Sequence, residues 1–238
     1  MKINANQKSY TEINNIIKST DESIEIDDCD GQRFIGDGSS GKHIVINGIA
    51  GNALGAYLNG SEIIAKGNAQ DAVGDTMNEG KIVIHGSVGD AVGYSMRGGE
   101  IYIKGNAGYR AGIHMKEYND KKPVIVIGGS AGSFLGEYQA GGLIIVLGLN
   151  TDEEIVGDFC GTGMHGGKML IRTKHPPKNL PEQVKCELAK SEDIQNSKKY
   201  IKEFCTLFGF DYNKIIDDTF YVFEPNSASP YKRLYVAN

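Results

Sequence analysis

The chain repeats one short pattern, which is clearest in IVIHGSVGDAVGYSMRGGE, residues 82–100, and in IYIKGNAGYRAGIHM, residues 101–115, which follows directly. Each copy opens with an apolar, strand-like segment and continues with spaced glycines. Related copies begin at residues 44, 63, 125 and 144, and residue 169 opens a seventh. Repetition at a fixed period is typical of a solenoid, in which each copy forms one coil stacked on the previous one.

Two series of glycines mark the period of the repeat. The first series is Gly48, Gly67, Gly86, Gly105, Gly129 and Gly148, and the second is Gly55, Gly74, Gly93, Gly112, Gly136 and Gly157. Neighbours in the first series are 19 residues apart, except for one interval of 24 that contains the polar segment KEYNDKKP, residues 116–123. We predict that this insertion is a surface loop and that the glycines form structural corners, where the backbone turns sharply and favours positive φ.

The segment GNAGYRAG, residues 105–112, has the glycine content of a phosphate-binding loop. Such a loop normally occurs once, at a turn from a strand into a helix. In this chain the pattern recurs about six times, and no helical pattern follows any copy. The repetition therefore favours a structural corner over a nucleotide site.

Each copy begins with alternating residues, which predicts one buried and one outer strand face. The outer face is mixed: its position-four residues are mostly polar, as in Lys66, His85 and Lys104, whereas its position-two residues are apolar and suggest cover by a partner. Positions one and three are predicted to be core: Ile44, Ile46, Ile63, Ala65, Ile82, Ile84, Ile101, Ile103, Ile125, Ile127, Ile144, Val146, Met169 and Ile171. Further core columns are predicted through Leu54, Val73, Val92, Ala111, Leu135 and Val156, and through Leu58, Met77, Met96 and Met115.

These patterns predict a mostly β protein, a single right-handed parallel β-helix of about seven coils with helical segments capping both ends. A left-handed hexapeptide coil is the fold alternative, but its length would be a multiple of six. We divide the chain into an N-terminal cap and lead-in (1–43), the β-helix (44–175) and an α/β C-terminal cap and tail (176–238).

Both flanks contain a helical pattern that would cover an exposed rim of the coil. Residues 9–18 offer Ser9 as N-cap and an apolar stripe, and residues 191–208 carry a second stripe that ends at Gly209. The tail, residues 220–238, contains a short apolar strand and then a basic and aromatic extension. This extension is expected either to pack on its own coil or to reach a partner.

Composition excludes several classes of function. A net charge of −5 gives no electrostatic reason to expect binding to nucleic acid or to a membrane surface, and no apolar run is long enough to span a membrane. Cys29, Cys160, Cys186 and Cys205 lie far apart without a C-x-x-C pair, so we expect reduced thiols in a cytoplasmic protein and no zinc or iron–sulfur site. No catalytic, cofactor-binding or metal-binding residue is predicted.

The glycine unit, with the lead-in that contains Arg33, Gly36 and Gly41, resembles the GXGXG domain, the C-terminal β-helix of the glutamate synthase large subunit. The resemblance covers about residues 27–173, although Gln70 replaces one motif glycine. It implies a stand-alone scaffold subunit of a split, archaeal-type glutamate synthase, which makes glutamate from glutamine and 2-oxoglutarate. The implied partners are a glutamine amidotransferase subunit and an FMN-dependent synthase subunit, which would carry the FMN and the iron–sulfur cluster.

Two alternatives remain open. The β-helical subunit of formylmethanofuran dehydrogenase resembles the same coils and implies a scaffold in a different complex. A β-helix enzyme acting on carbohydrates would need an outward catalytic column, and Lys66, His85 and Lys104 are the nearest approach to one.

Overall fold

The computed structural model describes residues 1–151, 154–177 and 179–226. These residues form a mostly β protein in which one 11-stranded sheet coils into a parallel solenoid of about eight turns. The strands are β1 (Lys2–Asn4), β2 (Ile24–Asp30), β3 (His43–Ile49), β4 (Asn59–Ala65), β5 (Glu79–Ile84), β6 (Glu100–Ile103), β7 (Val124–Ile127), β8 (Ala140–Val146), β9 (Gly166–Arg172), β10 (Val184–Leu188) and β11 (Phe220–Pro225). The helices are α1 (Tyr10–Ser19), α2 (Ser191–Phe208) and α3 (Tyr212–Ile216).

The strands β1 to β9 pair in chain order and in parallel. Their register stacks the predicted inward residues on one another, so that Ile84 pairs with Ile103 and Ile103 pairs with Ile127. All three side chains are fully buried. The predicted parallel β-helix is therefore confirmed, and its predicted count of about seven coils is close to the observed count of about eight.

The parallel ladder begins earlier than the repeat suggests. β2 pairs with β3, and β1 pairs with β2, within the segment expected to be a cap and lead-in. Ile24 and Ile26 alternate with polar residues and are buried, as are the first and third positions of later coils. This alternation was the available signal for β2.

Helix α1 covers the N-terminal end of the core. Ser9 and Glu12 form a capping box at its first turn, as the Ser9 prediction requires. Its buried face includes Ile13 and Ile17. The Asn14 amide fastens the helix to the first corner, because its Nδ2 donates to the Phe34 carbonyl at 2.8 Å and its Oδ1 accepts from the Gly36 N–H at 2.9 Å.

The C-terminal rim is covered by two strands, of which the sequence patterns predicted only the one in the tail. β11 pairs antiparallel with β9, and β10 pairs antiparallel with β11. The expected strand at the start of the tail is thus β11, whereas residues 227–238 of the extension lie outside the described residues. Because β11 occupies the hydrogen-bonding edge of β9, α2 is not needed there.

Helix α2 forms over the predicted residues and ends at Gly209, whose φ is 75°. It lies on the outer face of the sheet, where Ile201 and Phe204 join the apolar position-two residues in a second core. These position-two residues are Tyr102, Val126, Ile145 and Leu170, all buried. The expectation that a partner covers this stripe is corrected, since the chain's own helix covers these coils.

The sixth coil differs from its prediction. Val156 pairs with Ala131, so it does not belong to the column of Leu135. Cys160 takes that column instead, and Gly161, with φ 75°, follows Gly136 in the second glycine series. The prediction that placed Gly157 in this series was wrong, because the insertion at the first corner of the coil displaces the later residues.

Candidate functional site

One side of the solenoid consists of short turn segments, such as residues 53–57, 72–76, 91–95, 110–114 and 134–138, and we call it the turn face. In each segment the first, third and fifth residues have positive φ, as in Ala91 (56°), Gly93 (67°) and Ser95 (51°). Such values cost about 1–2 kcal/mol for residues other than glycine, so the segment must be held by its neighbours.

Hydrogen bonds to both adjacent coils hold each turn segment. The N–H groups of Ala91 and Ser95 donate to carbonyls of the next coil at 2.8 and 2.9 Å, whereas the N–H of Gly93 donates to the Val73 carbonyl of the previous coil at 2.8 Å. Each segment is therefore paired on both sides, much as a strand is. The turn face is a regular surface that can present side chains at fixed spacing.

The two glycine series have different surroundings. A Cβ added to Gly55 would lie 2.7 Å from Cδ1 of Ile82, inside the core, and inward side chains also surround Gly74, Gly93, Gly112 and Gly136. A Cβ added to Gly105 would lie 2.9 Å from the Gly86 carbonyl oxygen of the previous coil. The same close approach to the previous coil holds for Gly48, Gly67, Gly86 and Gly129.

Aromatic side chains cluster on the C-terminal half of the turn face. This aromatic patch comprises Tyr94, Arg110, His114, Phe134, Tyr138 and Phe159. The rings of His114 and Tyr138 stack with centroids 5.1 Å apart, and those of Phe134 and Phe159 stack at 5.0 Å. The Arg110 guanidinium lies 4.7 Å from the Phe134 ring centroid, and its Nε donates to Glu137 at 3.0 Å.

Four members of the aromatic patch, Tyr94, Arg110, His114 and Phe159, are exposed to solvent, and Phe134 and Tyr138 are half-buried. Phe159 is 54% exposed and Tyr94 is 40% exposed. Aromatic residues and arginine are enriched in protein interfaces, and clustered exposed rings mark such sites. The sequence patterns considered above did not reveal the patch, yet a signal exists: outward residues lie two places before and after each glycine of the second series.

A model of the family described as GXGXG motif matches residues 2–226, in agreement with the two glycine series. The chain belongs to the GXGXG motif family. Within residues 27–173 this family supports the resemblance drawn from the sequence, at the level of the domain.

Two similar proteins extend the comparison of the GXGXG chain. The uncharacterized protein MJ1350 of Methanocaldococcus jannaschii is 42% identical over 133 residues, which cover 52% of this chain and 50% of that protein. The chain therefore spans about half the length of this relative. A chain of the formyltransferase/hydrolase complex (FhcABCD) from Methylorubrum extorquens, solved with methylofuran, superposes with a TM-score of 0.62 at 20% identity, covering 84% of this chain and 71% of that chain. At this identity the likeness shows a shared fold.

Polar side chains beside the turn face serve the GXGXG coils themselves. Oδ1 of Asp71 accepts from the N–H of Asp90 at 2.8 Å, and Oδ1 of Asp90 accepts from the N–H of Tyr109 at 2.8 Å. Each carboxylate thus satisfies a corner N–H of the next coil. We assign these acids to the structure of the solenoid.

Lys66, His85 and Lys104 lie in one outward column, as predicted. The histidine ring, however, packs against helix α2. The His85 ring meets the Phe208 ring edge-on, with centroids 5.2 Å apart. Burial lowers the pKa of His85, and the charges of Lys66 and Lys104 lower it further. The column pairs a neutral imidazole with two ammonium groups, which supplies no carboxylate for glycoside chemistry.

The lowered pKa of His85 predicts a pH dependence of stability. An unfolded histidine titrates near 6.5, so the unfolded state binds the proton before the folded state does. Above about pH 6.5 His85 is neutral in both states, and its titration does not lower the free energy of unfolding. That free energy decreases as pH falls from about 6.5 through the lower folded pKa. Urea unfolding at several pH values should show a smaller decline between pH 7 and 5 in His85→Gln than in wild type, and equal declines would contradict the assignment.

The thiols of the GXGXG chain are poor nucleophiles. Burial raises the pKa of Cys160 to about 12 and that of Cys186 to about 11, and it also raises those of Cys29 and Cys205. Neutral thiols neither attack substrates nor bind metals well. Among residues 1–151, 154–177 and 179–226, no three His, Cys, Asp or Glu side chains are grouped to hold a metal ion.

A cleft of about 1280 Å³ lies at the C-terminal corner, bordered by Arg172, His175 and Asp218. Its arginine is committed to the fold, because one Nη contacts the Asp218 carboxylate at 2.6 Å and the other donates to the Leu147 carbonyl at 2.8 Å. The aromatic patch is therefore the stronger candidate site. In the part of the chain that the structure covers, no helix has the length and apolar character of a membrane span.

Proposed function

We propose that this chain is a scaffold subunit that binds partner subunits through the aromatic patch. The observation that carries the proposal is a cluster of exposed and half-buried rings on a turn face whose backbone is hydrogen-bonded on both sides. A rigid surface loses little conformational freedom on binding, and aromatic side chains contribute strongly to interface affinity. The chain would contribute to a reaction by aligning the active sites of its partner subunits.

The first candidate complex is a split glutamate synthase. The chain would dock a glutaminase subunit and an FMN-dependent synthase subunit, so that ammonia passes between their sites during glutamate synthesis. The GXGXG family match supports this candidate, because the glycine series and the lead-in resemble the coils of that enzyme's large subunit. FMN and the iron–sulfur cluster would belong to the partners.

The second candidate is a complex of the formylmethanofuran dehydrogenase type. The fold similarity to a chain of the formyltransferase/hydrolase complex favours it. The chain would play the same scaffolding part, with partners that act on a formyl group.

Purification of a tagged chain from its native cells, followed by mass spectrometry and assays, tests both candidates. Glutamine-dependent glutamate formation by the purified assembly would support the first, and formyl transfer would support the second. Tyr94→Ser/Phe159→Ser should release the partners, whereas Tyr57→Ser, at a residue that is 58% exposed outside the patch, should retain them. Catalysis by the isolated chain, or partner binding unchanged in the double variant, would contradict the proposal.

A further inference from the structure

In the part of the chain that the structure describes, β10 is the last strand of the sheet, and its outer edge has no strand partner there. Within the described residues β10 has one neighbouring strand, β11. An unpaired edge is a template for a further strand, and natural proteins usually protect it. The order of residues along this edge, VKCEL at residues 184–188, indicates which strand it can pair with.

The hydrogen bonds to β11 show which backbone groups of β10 face outward. The N–H of Ala189 donates to the Phe220 carbonyl at 2.9 Å, and the N–H of Asn226 donates to the Gln183 carbonyl at 2.8 Å. Residues of an antiparallel strand alternate between facing and not facing their neighbour. The odd-numbered residues of β10 therefore bond β11, and the backbone groups of Val184, Cys186 and Leu188 point to the free edge.

The edge is complementary to itself. If two copies of β10 pair antiparallel about Cys186, Lys185 of each copy lies opposite Glu187 of the other, and Val184 lies opposite Leu188. Opposite charges and apolar pairs directly across strands stabilise a sheet. A shift of the two-fold axis to residue 185 or 187 would oppose like charges, so the charges select one register.

The exposure of the strand agrees with this pairing. Leu188 is 60% exposed, and Lys185 and Glu187 are exposed, so all three can reach a second strand. Lys185 Nζ lies 2.9 Å from a Glu187 carboxylate oxygen within the strand, and in the dimer two such pairs would form one cluster of alternating charge. The N–H of Val184 already bonds the Pro181 carbonyl at 2.9 Å, which leaves the Val184 carbonyl for the Leu188 N–H of the second copy.

We propose that β10 pairs antiparallel with β10 of a second copy of this chain, centred on Cys186. The resulting dimer has two-fold symmetry and joins two solenoids, through their C-terminal ends, into one continuous sheet. The proposal stands apart from the scaffold function, because it rests on the strand edge alone.

Charge reversal tests the contact by sedimentation of the purified full chain. Wild type is expected to dimerise, whereas Lys185→Glu and Glu187→Lys each oppose like charges twice and should weaken dimerisation about tenfold. An equimolar mixture of these two variants restores opposite charges across the contact and should dimerise again. Lys198→Glu, an exposed change on α2, should dimerise like wild type.

Cysteine cross-linking tests the register, with Cys186→Ser in every chain so that the native thiols cannot join. Residues 185 and 187 would form a non-hydrogen-bonded pair, with Cα atoms about 4.5 Å apart, which suits a disulfide. Lys185→Cys mixed with Glu187→Cys should form an oxidised dimer, whereas neither variant alone should do so at this contact.

A wild-type chain that stays monomeric would overturn the proposal. So would a dimer that the mixture of charge variants does not restore, since the contact would then lie elsewhere. Loss of a partner subunit from the β10 variants, with wild type monomeric, would assign this edge to a different protein.

Discussion

Ile103→Asp is expected to prevent the solenoid from folding. Ile103 is fully buried and stacks between Ile84 and Ile127 of the adjacent coils. An aspartate there would place a carboxylate in an apolar core without a partner, and the penalty should exceed about 4 kcal/mol. Because domains are stable by about 5–15 kcal/mol, circular dichroism should show loss of the cooperative thermal transition.

Lys104→Asp is the matched control for this prediction. Lys104 is the next residue in the chain, but it is exposed on the outer face. The same new side chain should therefore change stability by about 0.5 kcal/mol or less. Equal melting temperatures for the two variants would contradict the assignment of inner and outer strand faces.

Gly55→Ala is expected to destabilise the protein by about 2–5 kcal/mol. Its φ is 63°, and the added Cβ would lie 2.7 Å from Cδ1 of Ile82 and 3.2 Å from Cδ1 of Ile63. Both isoleucines are fully buried in a stacked core and have little room to move. Urea denaturation monitored by circular dichroism would measure the change.

Gly38→Ala separates the two causes of this loss. Gly38 has nearly the same φ, 59°, but nothing lies within 4 Å of an added Cβ. Only backbone strain should remain, about 1–2 kcal/mol. If both variants lost the same stability, the left-handed backbone alone would explain the glycine, and the packing argument would be wrong.

The sequence pattern predicts the positions of the glycines but not the full reason why glycine is required there. The repeat shows where glycine recurs, and we attributed that recurrence to sharp corners with positive φ. Tyr57 and His114 have positive φ of 56° and 55° on the turn face, so the backbone alone does not demand glycine. Glycine is required at Gly55 because its Cβ would point into the core, a direction that only the folded coil defines.

Most of the aromatic patch could have been predicted from the sequence, since its members other than Tyr94 occupy equivalent places in successive coils. Aligned rows place Phe134 and Tyr138 on either side of Gly136, as the structure does. The register of the sixth coil could not be predicted from the sequence in this way. An insertion of unknown length at one corner leaves the register open, and the pairing of Val156 with Ala131 resolves it.

The sequence by itself determined the coiled architecture, because a period of 19 residues with alternating inward isoleucines stabilises the same strand in every copy. The tertiary structure alone decided where the C-terminal elements lie. The apolar stripe of α2 predicts that the helix is buried, but it does not name the surface, since Phe204 meets residues more than 50 positions away. Gly128 lies on that surface: a Cβ there would collide with the Lys104 carbonyl of the previous coil and also with the Phe204 ring, and the second contact exists only once the helix is in place.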